Sequence, residues 1–310
     1  MDKVVVSVII PTYNHEQLIE QAIESALRQE CNFPFEVIIG NDCSTDRTGE
    51  LCERYTGQPG VKLLSHPENL GLLKNYRTLF SECAGKYIAI LEGDDFWEKN
   101  KLAEQIAFLE ANPEYGFIHS NAFLQFDHKH KTLHDHTLAS SGEFTYRDIF
   151  TDNRIAAVTV CFRKELLQHA DLDRFESLNF KTIDLPLWLE FSQHGRLAYI
   201  NKSLATFRIS ETSISNNRSV QKRKEFEKSN RSILNYYSQK YPMEGLDQLF
   251  MDEKFNLKMF YIYLYYGTYS DMKTLRDASI PVSGLKLLAT RCWLLFLLYK
   301  LFVRIFYNRV

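Results

Sequence analysis

The sequence lacks a cysteine framework, a leader pattern and an excess of charge of one sign. Its six cysteines are scattered, without a Cys-x-x-Cys pair, which is typical of reduced thiols and speaks against a disulfide-stapled fold. A strand-like apolar run begins at residue 4, and the N-terminal residues do not show the pattern of a signal peptide. We therefore expect a cytoplasmic protein. Lys and Arg number 37 against 39 Asp and Glu, and this balance predicts no nucleic-acid partner.

Long hydrophobic runs are also missing. In the tail, residues 284–310, the longest uncharged run is 292–299, which is far shorter than the roughly 20 residues that a spanning helix needs. No Asp or Glu follows Asp277, while Leu, Phe and Trp alternate with Lys and Arg. Such a basic, amphipathic tail predicts contact with the cytoplasmic membrane surface, on its inner face. The alternative is a C-terminal helix that caps a core and exposes its cations.

What is present is the composition of a globular α/β chain. Hydrophobic residues make up 45% of the 310 residues, enough for a sizeable core. Up to about residue 120, short Val/Ile-rich runs alternate with segments of helical periodicity, which predicts a mostly parallel sheet with crossover helices. We predict one domain over 1–218, made of two halves, 1–120 and 121–218, and a helical region over 219–310.

The predicted elements of the first half follow this alternation. Strands are expected at residues 4–10, 35–40, 61–64 and 87–91, and helices at 16–29, 45–55, 72–83 and 99–111. Further strands are expected at 123–126, 157–162 and 197–200.

Polar residues follow three of these strands, at the edge where open α/β sheets bind ligands. They are Pro-Thr-Tyr-Asn at 11–14, Asn-Asp-Cys-Ser-Thr-Asp at 41–46 and Glu-Gly-Asp-Asp-Phe-Trp at 92–97. Taken alone, each motif is weak evidence for a functional site, because it could be only a helix cap or a capping loop. The carboxylates of these motifs are suitable ligands for Mg²⁺ or Mn²⁺. Such ions are usually bound by one or two protein carboxylates together with substrate phosphates.

In this order, together with Asn-Leu-Gly at 69–71 and Gly-Lys-Tyr at 85–87, the motifs resemble the family 2 glycosyltransferases. These are inverting enzymes of the GT-A fold. The resemblance is close over residues 4 to about 120 and looser to about 215. It implies that 1–120 is the nucleotide-binding half of the domain and 121–218 the acceptor half.

The resemblance implies a nucleotide-sugar donor, most consistent with a UDP-sugar. Its donor site would comprise Pro11, Thr12, Tyr13, Asp42, Asn69, Gly71, Lys74, Asp94 and Arg208. Thr12 and Tyr13 would border the base, and Asp42 would accept a hydrogen bond from the uracil imide. Asp94 and Asp95 would hold the metal and the ribose. Asn69, Gly71 and Lys74 open a predicted helix, where backbone N–H groups could meet a phosphate or Lys74 could be a solvated surface residue.

Inverting transfer also requires a base on the acceptor side. The family pattern places Asp184 in this role, and the alternative is that Asp184 caps a helix beginning at Pro186. Glu176 and Glu190 are weaker candidates for the base. Relatives often carry a histidine metal ligand where this chain has Ser210, two residues after Arg208.

A second possible metal site is a group of four histidines. His-Lys-His at 128–130 and His-Asp-His at 134–136 have spacings that bind zinc on a strand, but their charged neighbours are typical of a solvated hairpin loop.

The sequence thus predicts a metal-dependent glycosyltransferase that moves a sugar to a hydroxyl of a glycan or lipid-linked acceptor in surface polysaccharide synthesis. One alternative is a non-catalytic nucleotide-sugar-binding or scaffold subunit. Another is a nucleotidyltransferase, but no Gly-rich basic loop follows the first strand.

Overall fold

A computed structural model describes residues 3–126, 132–134, 144–209, 219–275, 280 and 285–306. The chain divides into two compact units, Met1–Ile209 and Ser210–Val310.

The first unit is built on a nine-stranded sheet of the described residues, with the strand order β3-β2-β1-β4-β8-β6-β9-β5 and β7 paired to β6. The strands are β1 (Val6–Thr12), β2 (Phe35–Asn41), β3 (Val61–Ser65), β4 (Tyr87–Ile90), β5 (Phe96–Trp97), β6 (Tyr115–Phe126), β7 (Thr132–His134), β8 (Cys161–Arg163) and β9 (Arg196–Ile209). The helices are α1 (Ile19–Leu27), α2 (Thr48–Glu53), α3 (Leu72–Glu82), α4 (Lys101–Ala111), α5 (Tyr146–Thr151), α6 (Leu172–Ser177) and α7 (Asp184–Phe191).

Strands β1 to β4 form the predicted parallel half. β1 pairs in parallel with both β2 and β4, and β2 pairs in parallel with β3. All seven residues of β1 are buried, as its continuous Val/Ile composition predicts for a strand covered on both faces. Because the strands run in parallel, their carboxyl ends meet at one edge, and the predicted site motifs lie there.

Beyond β4 the sheet is mixed. β8 is antiparallel to β4 and β6, β5 is antiparallel to β9, and β6 is parallel to β9. The α/β class is therefore as predicted, whereas the strand expected at 157–162 is wrong in its first half. Residues Ala157–Thr159 form a 3₁₀ turn, with the Thr159 hydroxyl bonded to the Ala156 carbonyl at 2.7 Å, and only Cys161–Arg163 pair in the sheet. Short buried apolar runs do not distinguish the two conformations.

The second unit is helical. Its elements are α8 (Val220–Lys240), α9 (Gln248–Tyr265), α10 (Tyr269–Lys273), α11 (Leu285–Ala289) and α12 (Trp293–Phe306). Its core combines the aromatic side chains of Phe260, Tyr263 and Phe296 with Met, Leu, Ile and Ala side chains. Among the described residues, no helix combines the length and apolarity needed to cross a membrane.

Candidate active site

The loops after β1 and β2 are joined by side-chain hydrogen bonds. Asn14 adopts a positive φ of 56°, its side-chain oxygen accepts the Thr45 N–H at 2.8 Å, and its own N–H donates to Ser44 Oγ at 3.0 Å. Asn41 Oδ1 in turn accepts from the Ser44 hydroxyl at 2.6 Å. The 11–14 and 41–46 motifs are therefore connected by hydrogen bonds into one surface at this edge of the sheet. Tyr13 lies on this surface, and 43% of the residue is exposed.

Asp42 clamps the loop that precedes α3. Its two carboxylate oxygens accept the N–H groups of Leu70 and Gly71 at 2.7 and 2.9 Å, and its carbonyl accepts the Asn69 side-chain amide at 3.0 Å. Of the residues predicted to meet a phosphate, Gly71 thus has its N–H bonded to Asp42 instead. Each carboxylate oxygen keeps a lone pair for a nucleobase imide. Lys74, one turn into α3, is exposed.

The loop after β4 approaches β1 through Gly93. The N–H of Gly93 donates to the Pro11 carbonyl at 3.1 Å. A Cβ at this position would lie 2.6 Å from Thr12 Oγ1, so only glycine allows this approach. Sequence reasoning did not identify Gly93, although a small residue between Glu92 and Asp94 was the available signal.

Arg208 supports the same loop from β9. Its N–H donates to Asp95 Oδ1 at 2.7 Å, its guanidinium donates to the Asp94 carbonyl at 2.5 Å and to Gln21 Oε1, and it lies 4.7 Å from the centroid of the Phe96 ring. Only 5% of Arg208 is exposed. These contacts make it a support for the acidic loop, and its predicted place in the donor site stays a prediction.

Two carboxyl groups of the loop after β4 have raised pKa values. Burial, followed by the charges of Asp94 and Asp184, raises the pKa of Glu92 to about 8. Burial and the charges of Asp94 and Glu92 raise the pKa of the fully buried Asp95 well above its usual range. The charge of Asp184 in α7 thus contributes to the raised pKa of Glu92 in the loop after β4, as is typical of groups of one site.

Asp184 is the first residue of α7, not the cap of a helix that begins at Pro186. The cap residue is Ile183, which makes no side-chain capping bond. The Thr182 hydroxyl donates to Asp184 Oδ1 and fixes its orientation. Burial raises the pKa of Asp184, against the lowering effect of the Thr182 hydroxyl and nearby backbone N–H groups, which increases its basicity.

The weaker candidates for the base have other partners. Glu176 forms an ion pair with Arg77 at 3.4 Å, and the buried Glu190 lies 3.3 Å from His194 near the far end of α7. Ser210 and the histidines at 128, 130 and 136 lie outside the described residues, as does the side chain of His134.

A divalent cation fits the acidic loop. Asp95 Oδ2 is buried and has no hydrogen-bond partner among the described residues, and Asp94 adjoins it. The described residues contain no group of three or more metal-binding side chains. This donor set matches Mg²⁺ or Mn²⁺ held by one or two carboxylates and completed by phosphates.

Comparison with known proteins identifies the family. The family model described as glycosyl transferase family 2 matches residues 7–169, just over half of the chain. The chain belongs to glycosyltransferase family 2. It is therefore a glycosyltransferase, and this membership favours the enzyme over the scaffold and nucleotidyltransferase alternatives.

Named relatives and a solved structure agree with that membership. The chain is 30% identical over 219 residues to the putative teichuronic acid biosynthesis glycosyltransferase TuaG of Bacillus subtilis, covering 70% of this chain and 83% of TuaG. It is 26% identical over 224 residues to the Escherichia coli UDP-Glc:alpha-D-GlcNAc-diphosphoundecaprenol beta-1,3-glucosyltransferase WfgD, covering 70% and 82%. A crystal structure of S. aureus TarS 1-349 in complex with UDP-GlcNAc superposes with a TM-score of 0.61 at 20% identity, covering 83% of this chain and 73% of that one. This likeness establishes the GT-A fold.

Proposed function

We propose that this glycosyltransferase transfers a sugar from a UDP-sugar to a hydroxyl of a lipid-linked glycan, with inversion and with a divalent cation. The effect of the Asp94 and Asp184 charges on the pKa of Glu92 carries the proposal, because it indicates that the acidic loop after β4 and Asp184 of α7 belong to one site. The family resemblance of the 92–97 motif and the names of TuaG and WfgD support it.

In this mechanism Asp184 accepts the proton of the acceptor hydroxyl. That oxygen forms a bond to the anomeric carbon while the bond from this carbon to the diphosphate oxygen breaks, and UDP leaves. Asp94 and Asp95 would hold the cation, which supplies positive charge opposite the departing diphosphate. Tyr13 would lie against the uracil, and Asp42 would accept a hydrogen bond from the imide N–H of the base. Arg208 keeps the acidic loop in position.

Replacing Asp184 tests the mechanism. We expect Asp184→Asn to lower the transfer rate by about 10²- to 10⁴-fold, because the base is lost, while UDP affinity stays within about twofold. Glu176→Gln is the matched control, since Glu176 pairs with Arg77 on the surface and should leave transfer unchanged. The assay follows UDP release from UDP-glucose and UDP-N-acetylglucosamine with a lipid-diphosphate-linked sugar acceptor. Undiminished transfer by Asp184→Asn would remove Asp184 as the base.

We further propose that the second unit binds an anionic membrane surface through α12. Five apolar side chains are 39–57% exposed along one side of this helix: Trp293, Leu294, Leu297, Leu298 and Leu301. Phe296, by contrast, is buried in the core of the unit. The segment after Asp277 carries only basic charges, which complements anionic lipids.

Vesicle flotation tests this attachment. Deleting the tail would remove Phe296 from the core, so point variants are the cleaner experiment. We expect Leu294→Ser with Leu298→Ser to abolish binding to phosphatidylcholine vesicles that contain phosphatidylglycerol, because the inserted apolar area is lost. Leu249→Ser, at a leucine of α9 that is 60% exposed, is the control and should bind normally. Unchanged binding by the double variant would refute the attachment through α12.

A further inference from the structure

Asp184 is the one partly exposed residue in an otherwise buried stretch of chain. Every other residue of 183–191 is buried. Trp188, one turn further along α7, stacks on Phe117 with ring centroids 6.1 Å apart and lies edge-on to Phe162 at 6.5 Å. This packing fixes the backbone of α7, and with it the Cα of Asp184, while the side chain stays open to a substrate.

A fixed backbone does not by itself orient the Asp184 carboxylate. The side chain can still turn about its Cα–Cβ and Cβ–Cγ bonds, and the second of these torsions has only a broad, roughly two-fold preference in aspartate. A general base must place one oxygen within hydrogen-bond reach of the proton that it accepts. A second constraint is therefore needed to hold the carboxylate.

The Thr182 hydroxyl supplies this constraint. It donates to Oδ1 of Asp184, and Thr182 is the one side chain among the described residues that hydrogen-bonds this carboxylate. The cap position of α7 belongs to Ile183, so the hydroxyl of Thr182 does not serve as the helix cap. Oδ2 receives no hydrogen bond from a described side chain and is able to accept a proton.

The segment that carries Thr182 is itself held in place. Phe180 is buried, its N–H donates to the Phe175 carbonyl at 3.2 Å, and the centroids of the two rings lie 5.6 Å apart. Asn179 adopts a positive φ of 53°, and its side-chain oxygen accepts from the Lys181 ammonium at 2.8 Å. These contacts order the residues directly before Thr182, so its hydroxyl has a defined position.

We propose that Thr182 is a positioning residue for the acceptor-side base: its hydroxyl holds Oδ1 of Asp184, and Oδ2 takes the proton of the acceptor hydroxyl. The proposal rests on the proposed function, because it takes Asp184 to be the base. The proton passes to Oδ2 as the acceptor oxygen bonds the anomeric carbon, and Thr182 keeps its own proton. The bond from Thr182 also lowers the pKa of Asp184 against the effect of burial, which favours the ionised form that can accept a proton.

Thr182→Val tests the proposal, since it keeps a β-branched side chain and removes the hydroxyl. We expect kcat for transfer, measured as UDP release, to fall about 5- to 50-fold, because the carboxylate loses its fixed orientation. The KM for the acceptor and the affinity for UDP should stay within about twofold. Thr182→Ser keeps a hydroxyl and should retain kcat within about threefold. Thr56→Val is the matched control, because the exposed Thr56 bonds the Glu53 carbonyl at 2.9 Å in the turn after α2.

The Asp184→Asn background separates positioning from a merely structural role. If Thr182 acts through Asp184, adding Thr182→Val to Asp184→Asn should lower the residual transfer no further, because the two residues act as a unit. A structural role predicts the same fractional loss in both backgrounds, and this result would overturn the proposal. Undiminished transfer by Thr182→Val, or a loss in Thr182→Ser as large as that in Thr182→Val, would overturn it as well.

Asp184→Asn alone distinguishes a failure of this proposal from a failure of the proposed function. A large loss of transfer in Asp184→Asn, with none in Thr182→Val, confines the failure to Thr182. Undiminished transfer by Asp184→Asn removes Asp184 as the base and overturns the role of Thr182 together with it.

Discussion

At the scale of single residues, Lys101 is the most deeply buried Lys or Arg side chain among the described residues. It is fully buried, its ammonium donates to Gln105 Oε1 at 2.7 Å, and it lies 4.1 Å from the centroid of the Trp97 ring. Burial lowers its pKa to about 7 from an ordinary 10.5. No carboxylate is among the groups that shift its pKa, so no carboxylate charge offsets the unfavourable desolvation of the charged ammonium.

Lys101 therefore gives stability a defined pH dependence. Between pH 7 and 10.5 the unfolded chain holds the lysine proton and the folded chain does not, so folding is favoured as the pH rises. We expect the free energy of unfolding of the unaltered chain, minus that of Lys101→Met, to increase between pH 7 and 9 by up to about 1.4 kcal/mol per pH unit. Urea unfolding at several pH values measures the difference.

The control for this prediction is Lys86→Met. The exposed Lys86 pairs with Glu110 at 2.8 Å, which raises its pKa, so its contribution is lost only above the ordinary lysine range. Its difference curve should be flat between pH 7 and 9. A flat curve for Lys101→Met as well would show that Lys101 stays charged in the folded protein.

At the scale of elements, the acidic loop depends on close contact between β1 and the residues after β4. Leu91 and Gly93 donate their N–H groups to Ile9 and Pro11, at 3.0 and 3.1 Å. These bonds prevent the loop from moving outward to make room for a larger side chain. The position of Asp94 and Asp95 is therefore set by a backbone contact as much as by Arg208.

Gly93→Ala tests this dependence. The new Cβ would lie 2.6 Å from Thr12 Oγ1 and 2.8 Å from His15 Nδ1, so we expect a loss of about 1–3 kcal/mol of stability and weaker UDP binding. At Gly57 an added Cβ would meet nothing within 4 Å, so Gly57→Ala should change stability by less than about 0.5 kcal/mol. Equal stability of the two variants in thermal unfolding would contradict the packing argument.

The elements also show what the sequence could predict and why. The parallel half was predictable, because continuous Val/Ile runs and helical periodicity are local signals. The same periodicity overestimated α2, expected at 45–55 but found at Thr48–Glu53, because residues 44–46 are engaged with Asn14, Glu16 and Thr48. The 157–159 turn and the pairing of β6 with β9 depend on tertiary contacts that no local pattern contains.

The candidate site divides in the same way. Residue types after the strands indicated Asp42, Asp94 and Asp95 as members of a site, and the family resemblance indicated Asp184. The bonds of Asp42 to Leu70 and Gly71, and those of Arg208 to the acidic loop, join residues 28 to 114 positions apart.

At the scale of the whole molecule, every proposed donor-binding residue lies in the first unit, Met1–Ile209. The chain contains three tryptophans, of which Trp97 and Trp188 lie in this unit and Trp293 in the second. A Trp293→Phe background therefore restricts intrinsic tryptophan fluorescence to the unit with the proposed site.

In that background we expect UDP with Mn²⁺ to raise the fluorescence-detected melting temperature. A ligand at 100 times its dissociation constant adds about 2.7 kcal/mol, which corresponds to about 5–10 °C for a unit of this size. Chelation of the metal, or Asp94→Asn, should remove most of the shift, because the diphosphate then loses the cation that links it to the acidic loop. A full shift in the presence of chelator would refute the metal dependence while leaving the nucleotide site in place. The absence of any shift with UDP, followed by a shift with GDP, would refute the assignment of uracil recognition to Asp42, because the first unit would then bind a different base at the same edge of the sheet.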